Sequence, residues 1–393
     1  MHTLIELYDE RPLENVLGVE VFRPQRVIYV CPDTIAAEQR VQRQLRDYFR
    51  HRGLEPEISF VRADIYDTEA MLRTLRRTVG QEADCALDIT GGTDAVLFAA
   101  GLLCAERAVP VFTYSRRRNK FYDIRNAPFA SKLPCEVRFS VEDCFRMAGG
   151  SMRTGRVDNG ILSRYLPDFD PFFDLYLRHR REWTQTVTYL QRVSQNAPDA
   201  PVALDVNAPY TVKGERAARI SAPEETLREL EELGFLHDLR IVTGESVSFT
   251  FRDEQIRTWL RDVGSVLELY VYKACLDTAL FDDVRTSAVV DWEGDRRDNA
   301  VSNELDVMCT RGVTPVFISC KTCDVKTEAL NELAVLRDRF GGQIARAAIV
   351  TAERVRTVTR NRAAELNIQV IDLNDLQAGR IQSRIRSLMR EQR

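Results

Sequence analysis

Apolar and polar positions follow two alternating periods along residues 1–140. Short apolar runs are separated by longer stretches in which apolar residues recur every three or four positions. The short runs predict buried strands and the longer stretches predict amphipathic helices, so their alternation indicates a mostly parallel sheet covered on both faces. The predicted strands are Thr3–Tyr8, Arg26–Cys31, Ile58–Arg62, Cys85–Asp88, Val109–Tyr114 and an edge strand at Phe121–Ile124, and the predicted helices are Ala36–His51, Thr68–Val79 and Asp94–Glu106.

Helical periodicity dominates residues 141–254. Helices are predicted at Pro171–Val193 and Pro223–Leu233, and the second is followed by strands Arg240–Val242 and Val247–Phe251 around a glycine-containing turn. This order resembles a winged helix, but no arginine-rich recognition surface accompanies it. The sequence therefore leaves a nucleic-acid-binding module and a purely structural linker as alternatives.

A second α/β pattern occupies residues 255–393. It begins with a long predicted helix, Gln255–Leu280, and continues with strands Val284–Asp291, Glu304–Thr310, Pro315–Lys321, Arg346–Val350 and Gln369–Asp372 and helices Thr327–Phe340 and Val355–Leu366. The chain is thus expected to be an α/β protein with three parts: a Rossmann-like domain, residues 1–140, a helical, winged-helix-like middle, residues 141–254, and an α/β sandwich, residues 255–393. A length of 393 residues fits several domains.

Composition is that of a folded protein, with 44% hydrophobic and 29% charged residues. No apolar run approaches the roughly 20 residues that span a bilayer, so no membrane partner is expected. Nine irregularly spaced cysteines favour a reducing cytoplasm. A net charge of −4 argues against a globally basic nucleic-acid coat, but arginines cluster locally, either as phosphate-attracting surface or as solvated helix faces. The clusters are Arg116, Arg117, Arg118 and Lys120, and then Arg354, Arg356, Arg360, Arg380, Arg384 and Arg386.

A ligand-binding turn is predicted after the strand Cys85–Asp88. Gly91 and Gly92 allow close backbone approach, the following helix offers unpaired amides, and Thr90 and Thr93 add hydroxyl groups. Such a turn suits a phosphate or a ribose, while a tight structural turn capped by Thr93 is the alternative. The dinucleotide and P-loop fingerprints are both absent.

Three more loops are expected at the same edge, because ligands of parallel sheets bind beyond the carboxyl ends of the strands. Together with the turn, these loops should converge on one crevice. The candidate residues are Tyr8, Asp9, Glu10 and Arg11 after the first strand, Pro32, Asp33 and Thr34 after the second, and Ser115 and Arg116 after the fifth.

Candidate catalytic chemistry lies in residues 255–393. Glu304 and Asp306 are two positions apart on a strand and so share one face, and Lys321 ends the next strand. Glu268 interrupts an apolar helical stripe and needs a partner, which a metal would supply. Carboxylates prefer hard cations such as Mg²⁺ or Mn²⁺, which lower the pKa of a bound water, while Lys321 would orient that water. A buried Glu–Lys ion pair is the alternative.

These features together resemble the ancillary nucleases of type III CRISPR systems. The resemblance rests on the segment Leu4–Val16, the turn Ile89–Thr93 and the order of Glu268, Asp306 and Lys321. It implies a CARF sensor domain fused to a PD-(D/E)xK, restriction-endonuclease-like domain. It further implies a homodimer that binds one cyclic oligoadenylate, with cyclic tetra-adenylate expected, and then cleaves RNA or DNA in cytoplasmic antiviral defence.

The sequence departs from that family in two places. Ser319 stands where the family has an acidic residue two positions before the lysine, so Glu304 or the carbonyl of Cys320 would have to complete the metal ligands with Glu268 and Asp306. Family members often have serine in place of Asp9, which is expected to accept a bond from an adenine amine or a ribose hydroxyl.

Two other functions are weighed against this one. A non-catalytic, ligand-responsive regulator would bind DNA through the middle module, and a dinucleotide-dependent oxidoreductase would need the missing fingerprint. Asp291, Asp295 and Asp298 near Trp292 fit a solvated loop or, alternatively, a substrate-contacting loop.

Overall fold

A computed structural model describes residues 1–153, 159–195, 202–214, 219–291 and 302–390. Trp292, Asp295 and Asp298 lie outside these ranges. None of the helices in the described ranges is long and apolar enough to cross a membrane.

The N-terminal part is a six-stranded sheet in the order β3-β2-β1-β4-β5-β6. All neighbouring strands are parallel except the edge strand β6, and every residue of the central strand β1 is buried. Because β2 and β4 flank β1, the strand order reverses there and opens a crevice beyond the strand ends. The elements are β1 (Thr3–Leu7), α1 (Leu17–Phe22), β2 (Arg26–Cys31), α2 (Asp33–Ala37), α3 (Gln39–His51), β3 (Glu57–Arg62), α4 (Thr68–Gly80), β4 (Cys85–Asp88), α5 (Asp94–Glu106), β5 (Val111–Ser115) and β6 (Lys120–Arg125).

The middle of the chain contains helices and a small antiparallel sheet in the order β11-β12-β8, with β9 and β10 forming a separate ribbon. The predicted succession of helix, turn and hairpin is present. The elements are α6 (Val141–Met147), β7 (Ser151–Arg153), α7 (Asn159–Leu162), α8 (Leu166–His179), α9 (Trp183–Val193), β8 (Asp205–Pro209), β9 (Thr211–Lys213), β10 (Arg219–Ser221), α10 (Glu224–Glu232), β11 (Leu236–Val242) and β12 (Ser246–Phe251).

The single helix predicted at Pro171–Val193 is wrong, because α8 and α9 are separate helices. The chain turns between His179 and Trp183. The turn lets Trp183 pack edge-on against Tyr176 at 5.6 Å, so the aromatic faces of both helices are buried in one core.

The C-terminal part is built on a sheet in the order β17-β16-β15-β14-β13-β7. β15, β16 and β17 are parallel, and the remaining pairs are antiparallel, with β7 at the edge. The elements are α11 (Glu254–Leu260), α12 (Ser265–Asp277), β13 (Asp283–Asp291), β14 (Ser302–Arg311), β15 (Thr314–Lys321), α13 (Thr327–Gly341), β16 (Arg346–Thr351), α14 (Thr357–Glu365), β17 (Ile368–Ile371), α15 (Leu373–Gln377) and α16 (Ile381–Leu388).

The long helix predicted at Gln255–Leu280 is also wrong, because the chain breaks between α11 and α12. The carboxylate of Asp262 accepts hydrogen bonds from the amide and the hydroxyl of Ser265, both at 2.8 Å, and so caps a new helix start. The break places Glu268 in the first turn of α12.

The N-terminal sheet and the C-terminal sheet share one continuous hydrophobic core. Helix α6 lies between them: Phe145 packs edge-on against Phe340 of α13, and Gln44 of α3 donates to the carbonyl of Met147 at 2.7 Å. On the other side, Phe173 of α8 stacks on Tyr270 of α12 at 3.7 Å, so the middle module supports the helix that contains Glu268.

Candidate functional site

A cleft of about 900 Å³ opens beyond the carboxyl ends of β1, β2 and β3. Most of the predicted ligand-binding residues line it, which agrees with the rule that strand ends form the binding crevice of a parallel sheet. These residues are Tyr8, Asp9, Glu10, Arg11, Pro32, Asp33, Thr34, Gly92 and Thr93.

Asp9 organises the wall of the cleft. Its carboxylate accepts three hydrogen bonds from Arg11 at 2.8–2.9 Å and one from the amide of Gly92 at 3.1 Å. Burial alone would raise the pKa of Asp9, but the bonds and charge of Arg11 outweigh it and lower the pKa. Asp9 therefore remains ionised and ties the first-strand loop to the glycine turn, which is a structural task that the sequence did not reveal.

Four of the predicted ligand-binding residues do not line the cleft: Thr90, Gly91, Ser115 and Arg116. The hydroxyl of Thr90 donates to Asp88 and accepts from the amide of Tyr114 at 2.8 Å. At Gly91 a Cβ atom would come within 2.6 Å of the Leu7 carbonyl, so a side chain has no room there. Ser115 ends β5 outside the cleft, and Arg116 forms a buried ion pair with Glu14 on the side that faces the C-terminal domain.

The loop after β3 also lines the cleft, and the sequence analysis missed it. It contributes Arg62, Asp64 and Tyr66, and the Tyr66 side chain is 87% exposed. The signal was present, because the strand-end rule applied to the third predicted strand would have included this loop.

The cleft combines an aromatic surface, two arginines and several carboxylates. Tyr66 offers a face for a flat heterocycle, Arg11 and Arg62 offer positive charge, and the amino end of α5 at Thr93 offers unpaired amides. Asp33 and Asp64 favour donors such as amines and hydroxyls over bare phosphates. The arrangement therefore suits a ligand that presents purine and ribose groups as well as phosphates.

Glu268 is the most perturbed acid of the C-terminal domain. Burial raises its pKa to about 8, with further contributions from the negative charges of Asp306, Asp262 and Glu304. The Ser287 hydroxyl is its one described hydrogen-bond donor, at 3.4 Å, and Ser287 adopts a left-handed φ of 51° within β13. Sequence reasoning missed Asp262 and Ser287, because the helix break and the strand conformation that place them are invisible in a hydrophobic pattern.

Asp306 is held rigidly from one side. Its Oδ2 accepts bonds from the amide of Cys320 at 2.6 Å and the hydroxyl of Ser319 at 3.1 Å, and the Nζ of Lys321 lies 3.7 Å away. Ser319 thus positions Asp306 instead of supplying a carboxylate. Burial raises the pKa of the Cys320 thiol above its usual range, so a contribution of Cys320 to a metal would have to come from its backbone.

A divalent cation fits this set of acids. Among the described residues, no group of three or more His, Cys, Asp or Glu side chains is already arranged to hold a metal ion. Mg²⁺, however, is commonly held by one or two carboxylates with water completing its shell. Glu268 and Asp306 provide two such carboxylates. Burial and, after it, the charge of Asp306 raise the pKa of Glu268, and a bound cation would offset both effects. Glu304 is exposed at the rim, where its charge also acts on Glu268.

A mixed sheet with a strand-ending lysine beside two acids has the architecture of a restriction-endonuclease-like nuclease domain. Residues 253–391 match a protein-family model described as Card1-like, endonuclease domain. This part of the chain is therefore similar to the endonuclease domains of Card1-like proteins.

Two solved structures resemble nearly the whole chain. Protein VC1899 from Vibrio cholerae has 17% sequence identity and a TM-score of 0.75, with 98% of this chain and 97% of that chain covered. Can2 from Sulfobacillus thermosulfidooxidans, solved in complex with cyclic tetra-adenylate, has 17% identity and a TM-score of 0.70, with 99% of each chain covered. A comparison with curated proteins gave no match. The likeness confirms the expected fold class, an α/β chain that begins with a Rossmann-like sheet and ends with a second, mixed sheet.

Proposed function

We propose that this protein is a metal-dependent nuclease of type III CRISPR defence that a cyclic oligoadenylate, cyclic tetra-adenylate, activates in the cytoplasm. One observation supports the proposal above all. A ligand-sized cleft at the strand ends of a Rossmann-like sheet and a cluster of acids with a lysine in an endonuclease domain lie in the same chain. The shared fold with Can2, which was solved with cyclic tetra-adenylate, favours this ligand class.

The sensor is proposed to work as a homodimer. Helix α5 is apolar around its whole circumference, a pattern that belongs to a helix covered on all sides. Its outer face nevertheless leaves Phe98 63% exposed beside the half-buried Leu97 and Leu102. A second copy of the chain packed on this face would cover the exposed apolar side chains. It would also bring two clefts together, because Thr93, directly before α5, lies on the cleft wall. A two-fold pair of clefts suits a ring of repeating units.

A route from ligand to nuclease is visible in the contacts of Arg11. This side chain lines the ligand cleft and also a small cavity between the two domains. Glu14 and Arg116 line the same cavity from the sensor side, and Phe340 and Gly341 of α13 line it from the nuclease side. A ligand that draws Arg11 away from Asp9 would therefore change the packing against α13. Activation requires that the ligand prefer one of the two resulting arrangements.

In the nuclease domain, Glu268 and Asp306 would hold Mg²⁺ or Mn²⁺, with Glu304 or the Cys320 backbone as the further candidate ligand. Such a cation polarises the scissile phosphate and lowers the pKa of a bound water. Cys320 and Ser319 keep Oδ2 of Asp306 engaged, so its other oxygen stays available. The ammonium group of Lys321 is placed to stabilise negative charge that develops on the phosphate.

The direct experiment is to incubate the protein with labelled RNA and with labelled DNA, with and without cyclic tetra-adenylate, in Mg²⁺ or Mn²⁺. The proposal expects cleavage that needs both the ring and the metal, and the preferred strand then defines the substrate. Ligand binding without cleavage of any strand would instead support the non-catalytic regulator. The described middle module gives that alternative an α10–β11–β12 unit of winged-helix order.

A further inference from the structure

The first arginine-rich segment singled out in the sequence lines a groove between the two sheets. This groove of about 1450 Å³ separates the N-terminal sheet from the C-terminal domain. Arg116 and Arg117 follow β5 on one wall, and Met389 follows α16 on the other. Arg311, the last residue of β14, and Arg346, the first residue of β16, also line it.

The groove has an excess of positive charge. It is lined by five arginines and two acidic residues, Glu136 and Asp282. Asp282 already has partners within the protein, because it forms an ion pair with Arg138 at 3.2 Å and accepts a hydrogen bond from the amide of Gly312 at 2.6 Å. Arg117, Arg311 and Arg346, by contrast, have no ion-pair partner within the described ranges. Their guanidinium groups are available to an anionic ligand.

A second groove continues the first one. It has a volume of about 540 Å³, shares Arg346 with the first groove and adds Arg390. Arg390 is exposed and has no ion pair in the described part of the chain. Arg337 lines it as well, but donates to the Leu366 carbonyl and pairs with the neighbouring Asp338. The positive track therefore extends along the amino ends of β15, β16 and β17.

None of the six arginines expected at the C-terminal surface lines this track. Arg360 pairs with Asp372, and both Arg380 and Arg384 pair with Asp375. These pairs show that a high arginine count near the C-terminus did not by itself identify the anion-binding surface.

The groove is separate from the nuclease site. Lys321 ends β15, whereas Thr314 begins it at the groove. Eight residues of extended strand span about 25 Å. A ligand in the groove therefore lies at the opposite edge of the sheet from Asp306 and Lys321.

We propose that this groove, defined by Arg117, Arg311 and Arg346, is an exosite for a single-stranded nucleic acid. Several unpaired arginines along an extended track match the repeated phosphates of a strand better than one small anion. The half-buried Phe281 in the groove wall offers a ring against which a base can stack. That the bound strand is the substrate of cleavage rests on the proposed function. The binding of a strand in the groove does not depend on that function.

The test measures strand binding by fluorescence anisotropy in EDTA, so that no cleavage occurs. The double variant Arg311→Gln/Arg346→Gln is compared with the control Arg181→Gln/Arg240→Gln, which removes two exposed arginines of the middle module that have no ion pair among the described residues. Long and short single strands are titrated over a range of salt concentrations. The long strand should bind about tenfold more weakly to the groove variant, and the slope of log K against log salt should fall by about 0.7 for each arginine removed.

Cleavage of a short strand separates this proposal from the proposed function. The groove variant should cleave a short strand at the wild-type rate, since its catalytic residues are intact. Unchanged long-strand binding, or an equal loss in the control variant, would overturn the exosite. Absence of cleavage by the wild-type protein together with groove-dependent binding would overturn the nuclease function and leave the exosite standing.

Discussion

Glu6 and Asp88 lie side by side on the neighbouring strands β1 and β4, and both are 1% exposed. Both carboxylate oxygens of Glu6 and one of Asp88 have no hydrogen-bond donor among the described residues. Gly18 packs directly against both carboxylates, since a Cβ atom there would come within 2.6 Å of Asp88 and 2.7 Å of Glu6. Burial raises the pKa of both acids, and for Glu6 the charge of Asp88 adds to the effect.

Because of this pair of acids, the free energy of unfolding should fall as the pH rises. The folded chain holds protons that the unfolded chain releases near pH 4, and burial raises the pKa of Asp88 to about 7. The free energy of unfolding then decreases between about pH 4 and pH 7, because the native state binds more protons there. Glu6→Gln should flatten this slope and raise stability at pH 8 by about 1 kcal/mol or more, since one pKa unit corresponds to about 1.4 kcal/mol.

Urea unfolding of Glu6→Gln and of the wild type at pH 5 and pH 8 provides the measurement. Glu69→Gln is a matched control, because that glutamate lies on the surface of α4 at an exposed helix start. The control should keep the wild-type pH slope, and a slope that Glu6→Gln also leaves unchanged would contradict a proton held by the buried pair.

Asp306→Ala should abolish cleavage, because it removes one of the two central carboxylates. We expect a loss of at least about a hundredfold, the scale of losing a principal electrostatic group of an active site. Calorimetric binding of cyclic tetra-adenylate should stay unchanged, since the sensor cleft lies in another domain. Residual wild-type cleavage in excess EDTA would contradict the metal-dependent mechanism.

Ser319 and Glu304 should differ in their effects. Ser319→Ala removes one of two hydrogen bonds to Asp306 and should lower the rate several-fold, since the Cys320 amide still holds the carboxylate. If Glu304 supplies the third carboxylate, Glu304→Ala should lower the cleavage rate nearly as much as Asp306→Ala does. Cleavage rates measured against metal concentration distinguish the two roles, because loss of a ligand raises the metal requirement. A Glu304→Ala enzyme with a wild-type rate and metal requirement would show that this exposed acid is not a ligand.

Ligand binding should depend on Tyr66 and Gly92. Gly92 has a positive φ of 97° and lines the cleft, so Gly92→Trp would strain the turn and fill the space. Tyr66→Ala leaves the backbone intact and should weaken binding about tenfold through the loss of one stacking surface, which is worth about 1–3 kcal/mol per base. Tyr122→Ala, outside the cleft on β6, serves as the control in calorimetry. Normal binding by both cleft variants would place the ligand elsewhere.

The sequence predicted much of this architecture and less of the site. The strands of both sheets were predictable, except for the three-residue edge strand β7, because most of them are short apolar runs bounded by polar loops. The break before Glu268 was not predictable from periodicity, since it depends on the cap that Asp262 forms with Ser265. The role of Asp9 was not predictable either, because its bond to the amide of Gly92 forms only when β1 and β4 pair.

The most direct test is to follow the cleavage rate and the ring occupancy in the same titration with cyclic tetra-adenylate. The account predicts that cleavage rises in proportion to occupancy and saturates at one ring per two chains. Phe98→Glu should abolish both dimer formation, measured by light scattering, and activation, while the variant stays folded. Equal cleavage with and without the ring, or full activation of a monomeric Phe98→Glu variant, would contradict a nuclease gated by a ligand-bound dimer.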